Sequence, residues 1–259
     1  MGTQFTYLVT GANRGIGQAF VEQLLSTPTA RVFATARNPE ASLDLKRLAE
    51  ASEGCCHVLQ LDISKPDSVK AAAQELAKLV PHGLDCLINN AAILGKFTHA
   101  LDQDLSDFAH VLQTNVIGTY SVTRALMPLL RKGTGKRIVN ISSDAGCLQQ
   151  NAGFIHQDVP NDAGMAIDYR CSKAALNMMT TCLANQLAQE GFTVLSLHPG
   201  FVHSDMGRAA GLGASRSAPG SGPTLSAEDS VQAMLQVLQQ VTPKDSGRYI
   251  KYNGEAMPW

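Results

Sequence analysis

Short apolar runs alternate with amphipathic stretches along the whole chain. Phe5 to Thr10, Arg31 to Ala36, His57 to Asp62, Leu84 to Asn89, Arg137 to Ser142, Thr193 to His198 and Tyr249 to Tyr252 read as strands. Several are continuously apolar, as in Val32-Phe33-Ala34 and Leu87-Ile88, the pattern of strands covered on both faces. Between them, apolar residues recur at helical spacing over Gly15 to Leu25, Ala41 to Ala51, from Pro66 onward, and over Asp104 to Asn115, Gly118 to Leu130, Tyr169 to Gln189 and Ala227 to Val241. Pro66 suits a first helical turn, and Ser226 is a good N-cap with Glu228 and Asp229 behind it. The alternation predicts an α/β fold with one doubly wound parallel sheet of about seven strands and helices on both faces. No linker or internal repeat interrupts it, so residues 1–259 are expected to form a single domain. One composition shift, rich in Gly, Ala and Ser, lies within 204–224 and reads as a flap over a pocket.

Composition narrows the possibilities. The 44% of hydrophobic residues supplies an aliphatic core, and a net charge of −1 with interspersed signs leaves no basic footprint for nucleic acid or an anionic membrane. The apolar runs are too short to span a bilayer. The first residues run directly into a strand pattern rather than a targeting signal, and a formal acylation match at Met1-Gly2 with Thr6 is discounted because Phe5 begins that strand. The six cysteines lack metal-ligand spacing and read as reduced thiols of a cytoplasmic protein. The seven histidines are scattered, so no metal site is expected.

Candidate chemistry gathers at two places. Gly11-Ala12-Asn13-Arg14-Gly15-Ile16-Gly17 lies between the first strand and first helix, where glycines allow a tight turn and let amide groups approach a pyrophosphate. A carboxylate at the end of the second strand would bind an unphosphorylated ribose. The chain instead has Arg37, which together with Arg14 suits a 2′-phosphate, so the expected cofactor is NADPH. Asp62 is placed to meet the adenine, and Asn89-Asn90-Ala91 to line the inner edge. The second place is Tyr169 with Lys173, four apart on one helical face. A free phenol titrates near pH ~10, and the neighbouring ammonium is expected to lower that value.

In order along the chain, the glycine turn, Asn89-Asn90-Ala91-Ala92, Asn115, Asn140-Ile141-Ser142-Ser143, Tyr169-x-x-x-Lys173 and Pro199-Gly200 resemble the short-chain dehydrogenase/reductase family. The resemblance covers essentially the whole chain and implies a Rossmann-type fold. The ending Gly247-Arg248-Tyr249-Ile250-x-Tyr252-Asn253-Gly254 to Pro258-Trp259 is similar to carbonyl reductases related to the fly protein sniffer and to fungal ketoreductases. The family pattern implies that Tyr169 is the general acid and that Lys173 lowers its pKa and holds the nicotinamide ribose. It also implies that Asn115 keeps a water in a proton relay. Adjacent strand residues point to opposite faces, so either Ser142 or Ser143 polarises the carbonyl; the family favours Ser143. Ile63 joins Asp62 at the cofactor, and Pro199, Gly200, Val202 and Ser204 resemble the segment that positions the carboxamide.

Two departures from the family stand out. Ala92 replaces a glycine, and Ser143 and Tyr169 are 26 positions apart, further than in the commoner pattern. The extra segment, 147–168, contains Phe154, Ile155, His156, Val159 and Met165, and is expected to cover the substrate pocket. The implied activity is NADPH-dependent reduction of a ketone or aldehyde. The alternatives are NADP-dependent alcohol oxidation, a biosynthetic ketoreduction, or a non-catalytic NADPH sensor. The oligomeric state is open among monomer, homodimer and homotetramer.

Overall fold

Adjacent residues on one strand serve two different cores, and this builds the sheet into the middle of the molecule. Leu8 packs with Phe33, Leu59, Leu76, Leu87, Leu126 and Val194 on one face. Val9 packs with Phe20, Val32, Ala34, Ile88, Leu195 and Met234 on the other. In the computed structural model, which describes residues 4–153, 165–203, 206 and 224–259, all seven strands are parallel. They are β1 (Phe5–Val9), β2 (Ala30–Ala36), β3 (Cys56–Gln60), β4 (Cys86–Asn89), β5 (Arg137–Ile141), β6 (Thr193–His198) and β7 (Tyr249–Lys251). Their order is β3-β2-β1-β4-β5-β6-β7, so the winding reverses between β1 and β4 and opens a crevice at their C-terminal ends.

The helices are α1 (Gly15–Leu25), α2 (Leu43–Ala51), α3 (Pro66–Leu79), α4 (Leu105–Leu112), α5 (Thr119–Lys132), α6 (Leu148–Gly153), α7 (Ile167–Leu187) and α8 (Ala227–Gln240). Two have a local start signal. Pro66 opens α3, and the Ser226 hydroxyl caps α8 by accepting from the Asp229 amide at 2.9 Å. On the first face Val122, Leu126, Leu129 and Leu130 of α5 are buried; Val231, Met234, Val237 and Leu238 of α8 are buried on the second. Burying one such side chain stabilises the fold by about 1.5–3 kcal/mol.

The sequence pattern predicts two separate helices over Asp104–Asn115 and Gly118–Leu130. They are instead joined by a π-helical turn, Gln113–Gly118. Gly118 is required in that turn, because a Cβ there would lie 2.6 Å from the Ile63 carbonyl oxygen. At the opposite end of the sheet Asp85 ties the strands together. Its Oδ2 accepts from the Thr6 amide and hydroxyl, both at 2.8 Å, and its Oδ1 from the Thr134 amide at 2.7 Å and the Gly135 amide at 2.9 Å.

Candidate active site

The crevice at the winding reversal is a cleft of about 480 Å³. Gly11, Asn13, Arg14, Gly15, Ile16 and Gly17 form one wall, Arg37, Asp62 and Ile63 another, and Tyr169, Lys173 and Pro199 the far end. Gly11 has φ +63°, and a Cβ on Gly17 would come within 2.2 Å of the Gly11 carbonyl oxygen. The turn therefore folds back on itself as only glycine permits. Asn90 locks it, donating from Nδ2 to the Thr10 carbonyl at 2.9 Å and the Gly11 carbonyl at 3.1 Å. α1 begins here with no side-chain cap and no acidic residue in its first turn. Its positive end thus faces the cleft, a fit for a pyrophosphate.

Arg14 and Arg37 are both exposed on this cleft. Asp62 lies near Arg37. Burial opposes its ionisation, but hydrogen bonds from the Ser64 hydroxyl at 2.7 Å and amide at 3.0 Å, with Arg37 and Lys65 nearby, hold its pKa below the ordinary carboxylate value.

At the far end β5 delivers Ser142 and Ser143, and α7 delivers Tyr169 and Lys173. The Ser142 hydroxyl is buried and donates to Asn177 Oδ1 of α7 at 2.6 Å. Ser143 lies in the extended region with its hydroxyl beside the Tyr169 phenol. The geometry thus turns Ser142 into a strand-to-helix tie and brings Ser143 to the tyrosine. Lys173 is 3% exposed, donates to the Ile141 carbonyl at 2.8 Å, and lies 5.5 Å from the centroid of the Tyr169 ring. Burial alone lowers its pKa from 10.5 to about 8. Burial also pushes the Tyr169 phenol well above its ordinary value; the Ser143 hydrogen bond opposes that shift and Asp144 adds to it. The expected lowering of the phenol's pKa is therefore not found: desolvation is the largest influence on it, and it raises the value.

The family model for short chain dehydrogenases matches residues 6–213. The chain belongs to the short-chain dehydrogenase family. A relative in Schizosaccharomyces pombe, an uncharacterised oxidoreductase, is 34% identical over 262 residues, spanning 99% of each chain. Among solved structures, this short-chain dehydrogenase resembles an NADPH-bound carbonyl reductase from chicken fatty liver, with a TM-score of 0.86 and 36% identity over 100% of both chains. It also resembles the carbonyl reductase Sniffer of Drosophila melanogaster, with a TM-score of 0.84 and 29% identity over 100% of both.

Four predicted residues of the dehydrogenase are placed differently from the expectation. Asn89 does not line the cleft: its buried amide donates to Thr123 Oγ1 at 3.0 Å and Asn140 Oδ1 at 2.9 Å, clamping β4 to α5 and β5, and Asn90 takes the cleft position. The Asn115 side chain is taken up by protein partners. Its Oδ1 accepts from the Ile93 amide at 2.9 Å, and its Nδ2 donates to the Ile93 carbonyl at 2.8 Å and Ser172 Oγ at 3.0 Å, so it braces the tyrosine helix. Gly200 packs on Tyr252, where a Cβ would meet the ring at 2.9 Å, and Val202 is buried in a bridge with Leu225; neither lines the cleft. Ser204 lies outside the described residues, as do Phe154, Ile155, His156 and Val159 of the 147–168 segment and nearly all of the 204–224 flap.

Sequence reasoning missed Asn38, Ser42, His110 and Thr114 on the cleft, which have no motif spacing to betray them. It also missed Asp168. This carboxyl is fully buried, accepts from the Tyr169 amide at 2.7 Å, and has a pKa raised chiefly by burial and by Asp107. Among the described residues no cluster of metal-ligating side chains occurs, and no helix is long and apolar enough to cross a membrane.

Proposed function

We propose that this chain, a single domain acting in the cytoplasm, reduces a ketone or aldehyde to an alcohol with NADPH. One observation carries the reading: Tyr169 and Lys173, with Ser143 beside the phenol, meet at the end of a cleft whose other end is a glycine cradle bordered by two exposed arginines. Bound NADPH would supply hydride to the carbonyl carbon. The residues to hold it are Gly11, Asn13, Arg14, Gly15, Ile16 and Gly17 at the pyrophosphate, Arg14 and Arg37 at the 2′-phosphate, Asp62 and Ile63 at the adenine, and Ala91, Pro199 and Lys173 toward the reacting end.

The Ser143 hydroxyl donates to the carbonyl oxygen and stabilises the negative charge that develops there. Tyr169 delivers the proton to that oxygen. Its raised pKa keeps the phenol protonated throughout the neutral range, the state an acid needs. Lys173 is held in place by the Ile141 carbonyl, so its position beside the phenol is set by β5 before any ligand arrives.

The test is NADPH oxidation, followed by absorbance, against aromatic aldehydes, diketones and quinones with NADH in parallel. Turnover with NADPH, little with NADH, and loss in Tyr169→Phe with NADPH binding retained are expected. A Tyr169→Phe variant as active as the parent would overturn the reading.

A further inference from the structure

Ser143 owes its place to the turn that follows it, and that turn is gripped from two sides. Residues Asp144–Gly146 form a 3-10 turn in which the Ser143 hydroxyl accepts from the Ala145 amide at 3.2 Å and the Gly146 amide donates to the Ser143 carbonyl at 2.9 Å. On the α7 side, Gly146 lies against the backbone of Lys173, where a Cβ would come 2.6 Å from the Lys173 carbonyl carbon. On the β6 side, the amide of Asp144 would be an orphan donor at the start of the turn. His198, at the end of β6 and 6% exposed, supplies the acceptor: its Nδ1 takes that N–H at 3.3 Å.

We propose that His198 is a positioning residue, whose neutral imidazole holds the Asp144 amide and thereby fixes Ser143 beside Tyr169. The assignment rests on the reading of Ser143 and Tyr169 as the carbonyl site. Nδ1 accepts only while it carries no proton, so Nε2–H is the working tautomer. The charged groups that face the ring are Asp144 on the turn and Lys251 on β7, and the Phe201 ring meets it edge-on at 6.3 Å. Burial lowers the imidazole's pKa, Lys251 adds to this, and Asp144 opposes it. His198 is therefore neutral at pH 7 and takes up a proton only below the ordinary histidine value of about 6.5. Protonation sets two donors against each other and draws the ring toward the Asp144 carboxylate. That carboxylate already accepts from Ser143 Oγ at 3.1 Å, so the serine moves with it.

The experiment measures kcat from pH 5 to 8, together with the Kd for NADPH, in the parent, His198→Asn, His198→Leu and Tyr169→Phe. Asparagine offers an amide oxygen where Nδ1 stood and does not titrate; leucine offers no acceptor. His198→Leu should lose about 10²-fold in kcat, the effect of a displacement of roughly 1 Å, with NADPH binding unchanged. His198→Asn should keep most of the activity and lose the acid limb that the parent shows. An acid limb that persists in His198→Asn, or equal losses in the two variants, would overturn the proposal. Imidazole 15N spectra of the parent protein decide the same point without any variant. The Nε2–H tautomer at pH 7, with the Asp144 amide resonance titrating alongside the ring, is expected; the Nδ1–H tautomer, or an Asp144 amide indifferent to the titration, refutes it. Activity surviving in Tyr169→Phe would instead sink the carbonyl-reductase reading, and the spectra would still judge the His198 contact.

Discussion

Replacing Lys173 by methionine should make the protein more stable and inactive. The ammonium is 3% exposed, and burial moves its pKa from 10.5 to about 8. At about 1.4 kcal/mol per pH unit, this is a penalty on the order of 3 kcal/mol for folding with the charge in place. The unfolded chain keeps the proton up to about pH 10.5 and the folded chain sheds it near pH 8, so the folded state binds fewer protons in that window and stability rises with pH across it. Below pH 8 the penalty is present in full. Methionine fills the same length without a charge, but it leaves the Ile141 carbonyl without its donor, an offset of about 1 kcal/mol. The net gain at pH 7 is about 2 kcal/mol, or roughly 4–8 °C in Tm for a chain of this size. Thermal and urea unfolding of both proteins between pH 7 and 10.5, without cofactor, would measure it. The advantage of the variant should shrink above pH 8, reach zero before pH 10.5 and reverse there by about 1 kcal/mol, the worth of the lost hydrogen bond to Ile141. A variant less stable at pH 7, or a difference that ignores pH, would refute the argument that Lys173 is held charged against its surroundings.

Three further predictions bear on the cleft and the sheet edge. Arg37→Ala should weaken NADPH by roughly 10- to 100-fold, the worth of a charge-assisted hydrogen bond, and leave NADH nearly unchanged; equal losses in fluorescence titrations would remove Arg37 from the phosphate. Gly17→Ala places a methyl 2.2 Å from the Gly11 carbonyl oxygen and 2.6 Å from Asn90 Nδ2, so it should destabilise the fold by about 1–3 kcal/mol and weaken NADPH more than tenfold. Calorimetry and titration on one sample would separate the two effects. His57 of β3 has its pKa lowered by burial and by Arg31, whose Nη2 lies 3.0 Å from Nε2. Stability should hold above about pH 6.5 and fall as pH drops below it, because the unfolded chain then takes up a proton that the folded chain resists. His57→Phe, which keeps the stack on Phe33, should flatten part of that slope in melts from pH 5 to 7; His198, with its pKa also lowered, contributes the rest with the same sign.

The features legible in the sequence are those written in local periodicity. All seven strands lie within one or two residues of the boundaries predicted from apolar runs, and the turn after β1 could be read because its glycines meet a backbone constraint within a few residues. The π-helical turn could not be read, since one extra residue per turn leaves the apolar spacing on either side unchanged. Choosing between neighbours was also beyond local pattern. Asn89 and Asn90 point to opposite faces, and only the partners reaching in from α5 and β5 reveal that Asn89 is the clamp. Ser142 and Ser143 pose the same question, and the tie from the Ser142 hydroxyl to Asn177, on a helix 35 positions away, is equally invisible to local pattern. The inverted shift at Tyr169 depends on how far the folded chain desolvates the phenol, which spacing along a helix does not encode.

The winding reversal at β1 also sets a timetable for synthesis. Thr6 meets Asp85, its partner across the reversal, 79 positions later in the chain. At roughly 5–20 residues per second, a nascent β1 waits about 4–16 s for β4, with β2 as its sole strand neighbour meanwhile. The cleft that β1 and β4 frame cannot exist on the ribosome until then, and its far end waits longer still, for α7. A dinucleotide therefore has no site on the early half-sheet to bind, and its stabilising effect by mass action begins only once the second half of the chain has docked.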